Sequence, residues 1–289
     1  MQETLDIEVI PLSQACGAEI RGVDVTKPLS AAQVEAIRKA WQEHLVLVFR
    51  GQQIDQEQQL RFASYFGDLG IRKQAPQDLA ERTEGVLQND PRVLLVSNMK
   101  IDGKPIGAFG DGDMWYHIDS GYTARPYRYT FLYAVELPSY GGNTLFSNMY
   151  KAYDAVPEDL KRKLTGKKAL HIHEYKRTEK VDLDRDISGS PHFFHPVFVS
   201  HPETGRKALF VDRLMTQRIE GVPPEESDRI LEQLYEIGER KDFVYEHEWT
   251  LGDFVMWDNR CLIHARTYFP KEENRLLRRC TVEGDLLSE

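Results

Sequence analysis

The chain has 289 residues, of which 41% are hydrophobic and 29% charged, and its formal net charge at pH 7 is −9. That size and mixture predict one globular domain over residues 1–289 with a substantial core. The negative charge argues against a nucleic-acid partner, because phosphate binding depends on clustered lysine and arginine.

Membrane insertion and secretion are not expected either. No run approaches the roughly 18 apolar residues of a membrane span, and the acidic amino terminus lacks the layout of a signal peptide. The three cysteines, Cys16, Cys261 and Cys280, are far apart and form no Cys-x-x-Cys motif. This usage fits a reducing, cytoplasmic compartment.

The amino-terminal part of the chain mixes strand and helix patterns. Ser30 and Gln33 have the spacing of a capping box at the start of a helix. An uninterrupted apolar run after that helix predicts a strand buried on both faces. The predicted elements are a strand over 5–10, a helix over 30–43, a strand over 45–49, a helix over 55–66 and a loop over 74–85.

From Tyr127 onward, short β-branched and aromatic runs alternate with glycine and proline turn signals. This pattern predicts a mostly β fold with peripheral helices, of the jelly-roll (double-stranded β-helix) sandwich or barrel type. The predicted strands cover 129–135, 144–146, 169–175, 195–199, 207–211, 243–249, 253–257 and 278–282, and the predicted helices cover 150–156, 157–164 and 224–238.

His117 and Asp119 form the first candidate metal motif. Side chains two residues apart on a strand project to the same face, so both can bind one ion. His-x-Asp by itself is weak evidence, and the alternative is a hydrogen-bonded histidine near a strand end. A second segment strengthens the metal hypothesis, because a turn and a hydrophobic strand over 250–259 lead to His264. Two imidazoles and one carboxylate leave the opposite face of a metal open, as in non-haem Fe(II) oxygenases.

Other histidines are weaker candidates. His201-Pro202-Glu203 is followed by Thr204-Gly205 and is predicted to be a hairpin turn. His171 and His173 share a predicted strand face without a carboxylate at matching spacing. These two are expected to be exposed or at the edge of the core.

Several motifs at matching spacings resemble the taurine dioxygenase and chlorophenoxyacetate dioxygenase family, whose members depend on Fe(II) and 2-oxoglutarate. Arg275 and Arg279 follow His264 by 11 and 15 residues, as in that family. The resemblance extends from Val48-Phe49-Arg50-Gly51 to Arg279. Its other motifs are Trp115-Tyr116-His117-Ile118-Asp119, Gly141-Gly142-Asn143-Thr144, Gly252-Asp253 and Trp257-Asp258-Asn259-Arg260.

The resemblance implies that His117, Asp119 and His264 bind iron. It also implies that Arg275 binds the distal carboxylate of 2-oxoglutarate, with the Thr144 hydroxyl as a further partner. An arginine suits this role because its planar fork of donors matches a carboxylate. The alternative, a surface arginine, is weakened by strand alternation: residues 275, 277 and 279 share one face, opposite Arg278.

The reaction implied by the resemblance consumes O2 and decarboxylates 2-oxoglutarate to succinate and CO2 while a substrate C–H bond is hydroxylated. Halogenation is disfavoured, because halogenating relatives replace the carboxylate at the position of Asp119 with a small residue. The expected partner is a small anionic organic molecule, similar to an aryloxyalkanoate, a sulfonate or a sulfate ester.

Arg279 is the predicted anchor for the anionic group of the substrate; a structural ion pair and a second cosubstrate contact are the alternatives. The glycine-rich segment 107–114 is predicted to be a lid. Phe109, Tyr122 and Met114 are predicted to line an apolar pocket, although aromatic residues near a site often serve packing. Ser120 is a further candidate for substrate binding. Asp113 stands where the better-known relatives carry asparagine, and it is either a substrate contact or a solvated turn residue.

Two other functions remain open at this stage. The same metal site would suit a non-oxidative metal-dependent hydrolase or a cupin-like binding protein, and a purely structural sandwich would use its histidines for packing. A homo-oligomer is expected, since members of the resembling family are commonly dimers or tetramers.

Overall fold

The computed structural model describes residues 7–71, 90–173, 183 and 186–289. The predicted loop over 74–85 lies outside the described residues, as do the outer ends of the predicted strands over 5–10 and 169–175. The described part is mostly β-structure with peripheral helices, in agreement with the sequence. Within it, no helix is both long and apolar enough to cross a membrane.

The strands of the described residues are short, and most pair antiparallel. In chain order they are β1 (Glu8–Pro11), β2 (Ala18–Arg21), β3 (Val46–Phe49), β4 (Leu94–Ser97), β5 (Lys100–Ile101), β6 (Lys104–Pro105), β7 (Ala108–Phe109), β8 (Met114–His117), β9 (Tyr129–Glu136), β10 (Thr144–Asn148), β11 (Lys168–Ile172), β12 (His192–Pro196), β13 (Phe198–Ser200), β14 (Lys207–Leu209), β15 (Thr216–Ile219), β16 (Val244–His247), β17 (Phe254–Asp258), β18 (Leu262–Arg266) and β19 (Leu276–Val282).

Two sheets build the site. The larger has the order β1–β2–β3–β17–β9–β19–β4–β7, and the smaller has the order β16–β10–β18–β8. Apart from β1, β2 and β3, neighbouring strands in both sheets are not consecutive in the chain, so residues far apart in sequence meet. A three-stranded sheet (β12–β11–β15) and two hairpins, β13–β14 and β5–β6, complete the strand pairing of the described residues.

The helices are α1 (Ala31–His44), α2 (Gln56–Ser64), α3 (Met149–Ala155), α4 (Glu158–Leu164) and α5 (Pro224–Gly238). The predicted capping box of α1 is confirmed: the Ser30 hydroxyl accepts from the Gln33 amide, and the Gln33 side chain accepts from the Ser30 amide. On the outer face of the larger sheet, Trp41 of α1 packs against Tyr129 and Phe131, and Phe62 of α2 packs against Phe49 and Phe254. These two helices therefore cover that face.

The other face of the larger sheet packs toward the smaller sheet. Val48, Leu132 and Leu277 from the larger sheet share one buried cluster with Phe146 and Ile263 from the smaller sheet. The alternation along β3 explains its uninterrupted apolar run: Val48 faces this core, whereas Phe49 faces the helices. The prediction of a strand buried on both faces is confirmed.

Three local differences from the predicted elements matter. The strand predicted over 195–199 is two strands, because β12 and β13 belong to different sheets and the chain crosses between them at Val197. The strand predicted from residue 243 begins with a 3₁₀ turn, Lys241–Phe243. β18 was not predicted as a strand, because charged and polar residues precede it and Arg266 ends it.

Candidate metal and cosubstrate site

His117, Asp119 and His264 meet between the two sheets. β8 pairs with β18, and His117 lies directly opposite His264 in that register. One ligand atom from each of the three residues lies within 4.8 Å of the others. All three side chains are buried, with relative exposures of 4–8%. The spacing and chemistry of this set fit a divalent metal with an open face.

The backbone reaches this arrangement differently from the predicted strand alternation. β8 ends at His117, and Asp119 lies in the turn that follows. That turn is closed by the Gly121 amide, which donates to the Ile118 carbonyl at 3.1 Å. The turn, and not a shared strand face, brings the carboxylate beside the imidazole, so the reason given from the sequence was wrong although the two residues do meet.

The surroundings of the two histidines favour metal binding. His117 Nδ1 lies 3.0 Å from the Trp115 carbonyl oxygen. If Nδ1 donates there, the lone pair of Nε2 is left for a metal. Burial, with His117 nearby, lowers the pKa of His264 to about 3, so His264 is neutral at physiological pH. A neutral imidazole is the form that binds a metal.

The Asp119 carboxylate is held on both oxygens. Arg279 Nη1 donates to Oδ1 at 2.7 Å, and the Thr130 hydroxyl donates to Oδ2 at 2.6 Å. Asn259 in turn donates to the Thr130 oxygen at 2.9 Å, and its own oxygen accepts from Trp257 Nε1 at 2.9 Å. This chain of hydrogen bonds fixes the orientation of the carboxylate.

The charge of Asp119 is also secured. Burial by itself would raise the pKa of Asp119, but the charge of the Arg279 guanidinium and the hydrogen bond from Thr130 oppose it, and the pKa is lowered to about 2. The residue therefore remains an anion and can attract a cation.

A small cavity of about 50 Å³ adjoins these ligands. Arg275, Thr144 and Arg266 line it together with the metal candidates. Thr144 Oγ1 accepts from Trp249 Nε1 at 3.0 Å, which leaves the hydroxyl proton of Thr144 available for a bound acceptor.

Arg275 is the most unusual group in this cavity. It is only 2% exposed, and its Nη2 donates to the Gly142 carbonyl at 2.9 Å. Its Nε has no hydrogen-bond partner, and no acidic side chain among the described residues pairs with it. Burial and the nearby Arg266 lower its pKa to about 9. A buried, uncompensated guanidinium costs free energy, so this cavity is suited to an anion.

Gly142 leaves room for that arginine, and Gly141 leaves room for the backbone of Tyr268. Both adopt positive φ angles, +73° and +67°. A Cβ on Gly142 would lie 2.8 Å from Arg275 Nε, and a Cβ on Gly141 would lie 2.2 Å from the Tyr268 carbonyl oxygen. Only glycine fits at both positions, which gives the Gly141-Gly142 motif a physical reason.

A larger chamber of about 800 Å³ also borders His117 and Asp119. Phe109 and Arg279 line both cavities, and Ser120 and Tyr122 line the larger one. The Tyr122 ring stacks on His173 at 4.3 Å with an interplanar angle of 14°. This volume is within the range of small-molecule sites.

Asp113 is not brought to either cavity. Its side chain is exposed, and it lines neither the small cavity nor the large chamber. This placement favours the alternative considered from the sequence, a solvated turn residue.

Arg278, next to Arg279, points to the opposite face and donates to Gln59 Oε1 at 2.7 Å. The predicted alternation of the arginines along β19 is thus confirmed.

A scan against protein-family models matches residues 8–281 to the family described as taurine catabolism dioxygenase TauD, TfdA family. The chain belongs to this family. The dioxygenase is 35% identical to the alpha-ketoglutarate-dependent 2,4-dichlorophenoxyacetate dioxygenase of Cupriavidus pinatubonensis, over 95% of this chain and 97% of the relative. It is also 35% identical to the pentalenolactone F synthase of Streptomyces avermitilis, over 96% of this chain and 94% of the relative.

The structure of the dioxygenase is similar to solved structures as well. It matches AAD-2 in complex with Mn(II) and N-oxalylglycine with a TM-score of 0.80 and 29% identity, over 98% of this chain and 99% of that one. The likeness therefore extends over nearly the full length of both chains.

His201, one of the weaker histidine candidates in the sequence, has a structural role in the dioxygenase. His201 Nε2 lies 3.0 Å from Asp258 Oδ2, which also accepts from Arg260 Nη2 at 2.6 Å. His201, Asp258 and Cys261 are close enough to hold a metal. However, Arg260 already neutralises the carboxylate, and burial raises the pKa of the Cys261 thiol well above its usual value. We therefore interpret this cluster as an internal ion pair between Asp258, Arg260 and His201.

The prediction that His171 is exposed or at the edge of the core was wrong. It is fully buried and not at the edge of the core, with Nδ1 3.6 Å from Asp212 Oδ2 and 3.2 Å from Thr216 Oγ1. The carboxylate comes from a distant part of the chain, which spacing along one strand does not reveal. His173 lies at the larger chamber, half-buried against Tyr122.

Sequence reasoning missed Thr130 and the function of Asn259. Thr130 lies in a strand that looks purely structural, and its hydroxyl reaches Asp119 only after folding. The Gly252-Asp253 motif has a structural role: the Asp253 carboxylate accepts from the Arg50 guanidinium at 2.5 Å and from the Thr250 amide at 2.9 Å. The motif Trp257-Asp258-Asn259-Arg260 was the one available signal for Asn259.

Proposed function

We propose that this dioxygenase binds Fe(II) through His117, Asp119 and His264 and anchors 2-oxoglutarate through Arg275 and Thr144. The proposal depends above all on Arg275, a buried guanidinium that has no acidic partner among the described residues and lies in a cavity beside the metal candidates. A dicarboxylate would supply the missing anion. A hydrolase on the same metal ligands would not need it.

Family membership makes the protein a non-haem iron oxidoreductase that uses Fe(II), 2-oxoglutarate and O2. Bound together, these groups supply the oxidising chemistry, in which 2-oxoglutarate is decarboxylated to succinate and CO2 and a substrate C–H bond is hydroxylated. The side chains of this chain position the reactants. Thr130 and Asn259 orient the Asp119 carboxylate, and the buried walls of both sheets exclude water.

We infer that the substrate is a small organic anion, similar to an aryloxyalkanoate, a sulfonate or a sulfate ester, and that Arg279 binds its anionic group. Arg279 lines both cavities and donates to Asp119. A divalent metal would share the charge of Asp119, and this would release part of Arg279 for an anion in the larger chamber. Phe109, Ser120 and Tyr122 would form the wall around the rest of the substrate.

The cosubstrate assignment is tested by anaerobic titration of the Fe(II)-loaded protein with 2-oxoglutarate, followed by its visible charge-transfer band. We expect saturable binding in the wild type. In Arg275→Gln, loss of a charge-assisted contact of about 2–3 kcal/mol should weaken binding about a hundredfold. Arg278→Gln is the matched control, because it removes the neighbouring arginine on the opposite face and should change the affinity less than about twofold.

A wild type that binds Fe(II) but gives no band with 2-oxoglutarate would contradict the proposal. Equal affinities in Arg275→Gln and Arg278→Gln would refute the role of Arg275. The second candidate, a non-oxidative hydrolase, would be favoured by substrate turnover without O2 consumption.

The substrate class is tested with a panel of aryloxyalkanoates, sulfonates and sulfate esters, scored by substrate-dependent succinate formation. We expect at least one anionic class to stimulate succinate formation in the wild type. The wild type should respond to anionic analogues and not to neutral ones, whereas in Arg279→Met the two kinds of analogue should stimulate succinate formation to a similar extent. Stimulation by neutral analogues alone would contradict an anionic substrate.

We further infer that the two facing sheets form a double-stranded β-helix and that residues 1–289 act as one domain. This follows from the single core shared by both sheets and from the site between them. A homo-oligomer and a cytoplasmic location are retained as proposals. Sedimentation equilibrium and fractionation of the native host would test these two points.

A further inference from the structure

Arg266 lies at the junction of the small cavity and the glycine-rich segment Gly107–Asp113. It is the last residue of β18, two residues after His264, and it is paired with Thr144 on one side and Met114 on the other. Its side chain is only 8% exposed and lines the small cavity beside Arg275. A second cation therefore borders the space assigned to 2-oxoglutarate.

The guanidinium of Arg266 holds the glycine-rich segment. Its Nε donates to the Gly112 carbonyl at 3.0 Å, and its Nη2 donates to the Asp111 carbonyl at 3.2 Å. The same segment contains Phe109, which lines both cavities. Arg266 thus links the wall of the cosubstrate cavity to a wall of the larger chamber.

The segment held by Arg266 has an unusual backbone. Phe109 has a φ of +64° and Gly112 a φ of +81°. A positive φ is strained for a bulky residue such as phenylalanine and persists only where surrounding contacts fix it. The Arg279 guanidinium lies 5.7 Å from the centre of the Phe109 ring. The position of the segment consequently affects both Phe109 and the proposed substrate anchor.

Arg266 interacts electrostatically with Arg275 and with any anion bound in the small cavity. Arg266 is close enough to Arg275 to lower the pKa of Arg275, and the Phe269 ring lies 5.2 Å from Arg266 and 5.7 Å from Arg275. An anion beside Arg275 would relieve the repulsion between the two guanidinium groups. It would therefore favour the arrangement in which Arg266 stays at the cavity wall, bonded to the segment.

We propose that Arg266 is a positioning residue that couples cosubstrate binding to the order of segment Gly107–Asp113, and thereby to the shape of the substrate chamber. The proposal rests on the assignment of 2-oxoglutarate to the small cavity. Coupling of this kind is reciprocal, so a well-placed segment should also strengthen cosubstrate binding.

Hydrogen exchange of the backbone amides of 107–113 tests the coupling without turnover. It is measured in the metal-free protein and in protein saturated with Mn(II) and N-oxalylglycine. In the wild type we expect saturation to slow exchange in this segment at least about fivefold. Arg266→Gln should speed exchange in the ligand-free protein and lose most of the ligand-dependent slowing, even at saturation.

Two further variants separate coupling from general destabilisation. Arg266→Lys keeps the charge but loses the pair of hydrogen bonds to the segment. Compared with Arg266→Gln, it should recover part of the affinity for N-oxalylglycine but little of the ligand-dependent slowing of amide exchange. Arg278→Gln should behave as the wild type in both measurements. Thermal unfolding of each variant shows whether the fold is retained.

The outcomes distinguish the two proposals. Ligand-dependent slowing that is equal in the wild type and Arg266→Gln would overturn the role of Arg266, as would a saturated wild type with no slowing. A wild type that binds Mn(II) but not N-oxalylglycine would refute the assignment of the small cavity, and the coupling with it.

Discussion

The two cavities beside the metal candidates are built from different parts of the fold. The polar residues of the small cavity lie on or next to paired strands of both sheets: Thr144 on β10, Arg266 on β18 and Arg275 just before β19. Much of the larger chamber is lined by turns and connecting segments, including Ser120 and Tyr122. Strands fix side chains more firmly than turns do, so we expect the small cavity to be preorganised and the chamber to be adaptable.

This difference suggests how the protein divides its functions. Chemistry that needs one fixed geometry depends on strand positions, where a displacement would break sheet hydrogen bonds. Recognition of a particular substrate depends on turns, which can change without disturbing the sheets. Variants in each cavity should therefore affect different steps: those near the metal and 2-oxoglutarate should alter metal or cosubstrate binding, and those in the chamber should alter substrate binding.

Asp119→Ala should abolish activity, with succinate formation at least about a thousandfold below the wild type. It removes the only carboxylate of the metal set and leaves the half-buried Arg279 without this partner. Stoichiometric Fe(II) binding should be lost in equilibrium dialysis, whereas Asp154→Ala, an exposed position on α3, should bind normally. Retained Fe(II) affinity in Asp119→Ala would show that the metal lies elsewhere.

Thr130→Val should weaken Fe(II) binding about 10- to 100-fold, because it removes the hydroxyl that joins Asn259 to Asp119. Thr130→Ser keeps the hydroxyl and should restore most of the affinity. Both affinities can be measured by competition with a metal-sensitive dye. If Thr130→Val and Thr130→Ser have the same Fe(II) affinity, packing and not the hydrogen bond determines the effect.

Gly142→Ala should reduce 2-oxoglutarate affinity about tenfold. The added Cβ would meet Arg275 Nε at 2.8 Å, and the φ of +67° is unfavourable for alanine. The charge-transfer titration measures this effect. Gly103→Ala is a suitable control, since Gly103 also has a positive φ but a Cβ there meets no atom within 4 Å. Equal losses in the two variants would indicate a general backbone effect.

Tyr122→Leu should have the smallest effect, and it should be confined to the larger chamber. Loss of the stack on His173 should raise the substrate KM a few-fold, and the affinity for 2-oxoglutarate should change less than about twofold. Steady-state kinetics with the best substrate of the panel, together with the cosubstrate titration, would check both values. A parallel loss of cosubstrate affinity would contradict the independence of the two cavities.

Many of the chemical groups could be predicted from the sequence. His117, Asp119, His264, Thr144 and Arg275 all come together as the motif spacings indicated, and the alternating arginines point to opposite faces. The strand spans were also predictable in outline, because apolar runs and turn residues mark most of them. The predictions failed where the chain changes sheets, as between β12 and β13, since local residue patterns do not identify a strand's partners.

The sequence by itself determined which residue types are available for a metal and a dicarboxylate, because spacing along the chain preserves the motifs of the family. Only the tertiary structure decided which partners these residues have. It placed Thr130 on Asp119, Arg279 on the same carboxylate, Asp212 beside His171, and Asp113 outside both cavities. These contacts join residues distant in sequence across two sheets, so they depend on strand order and register and not on any local pattern.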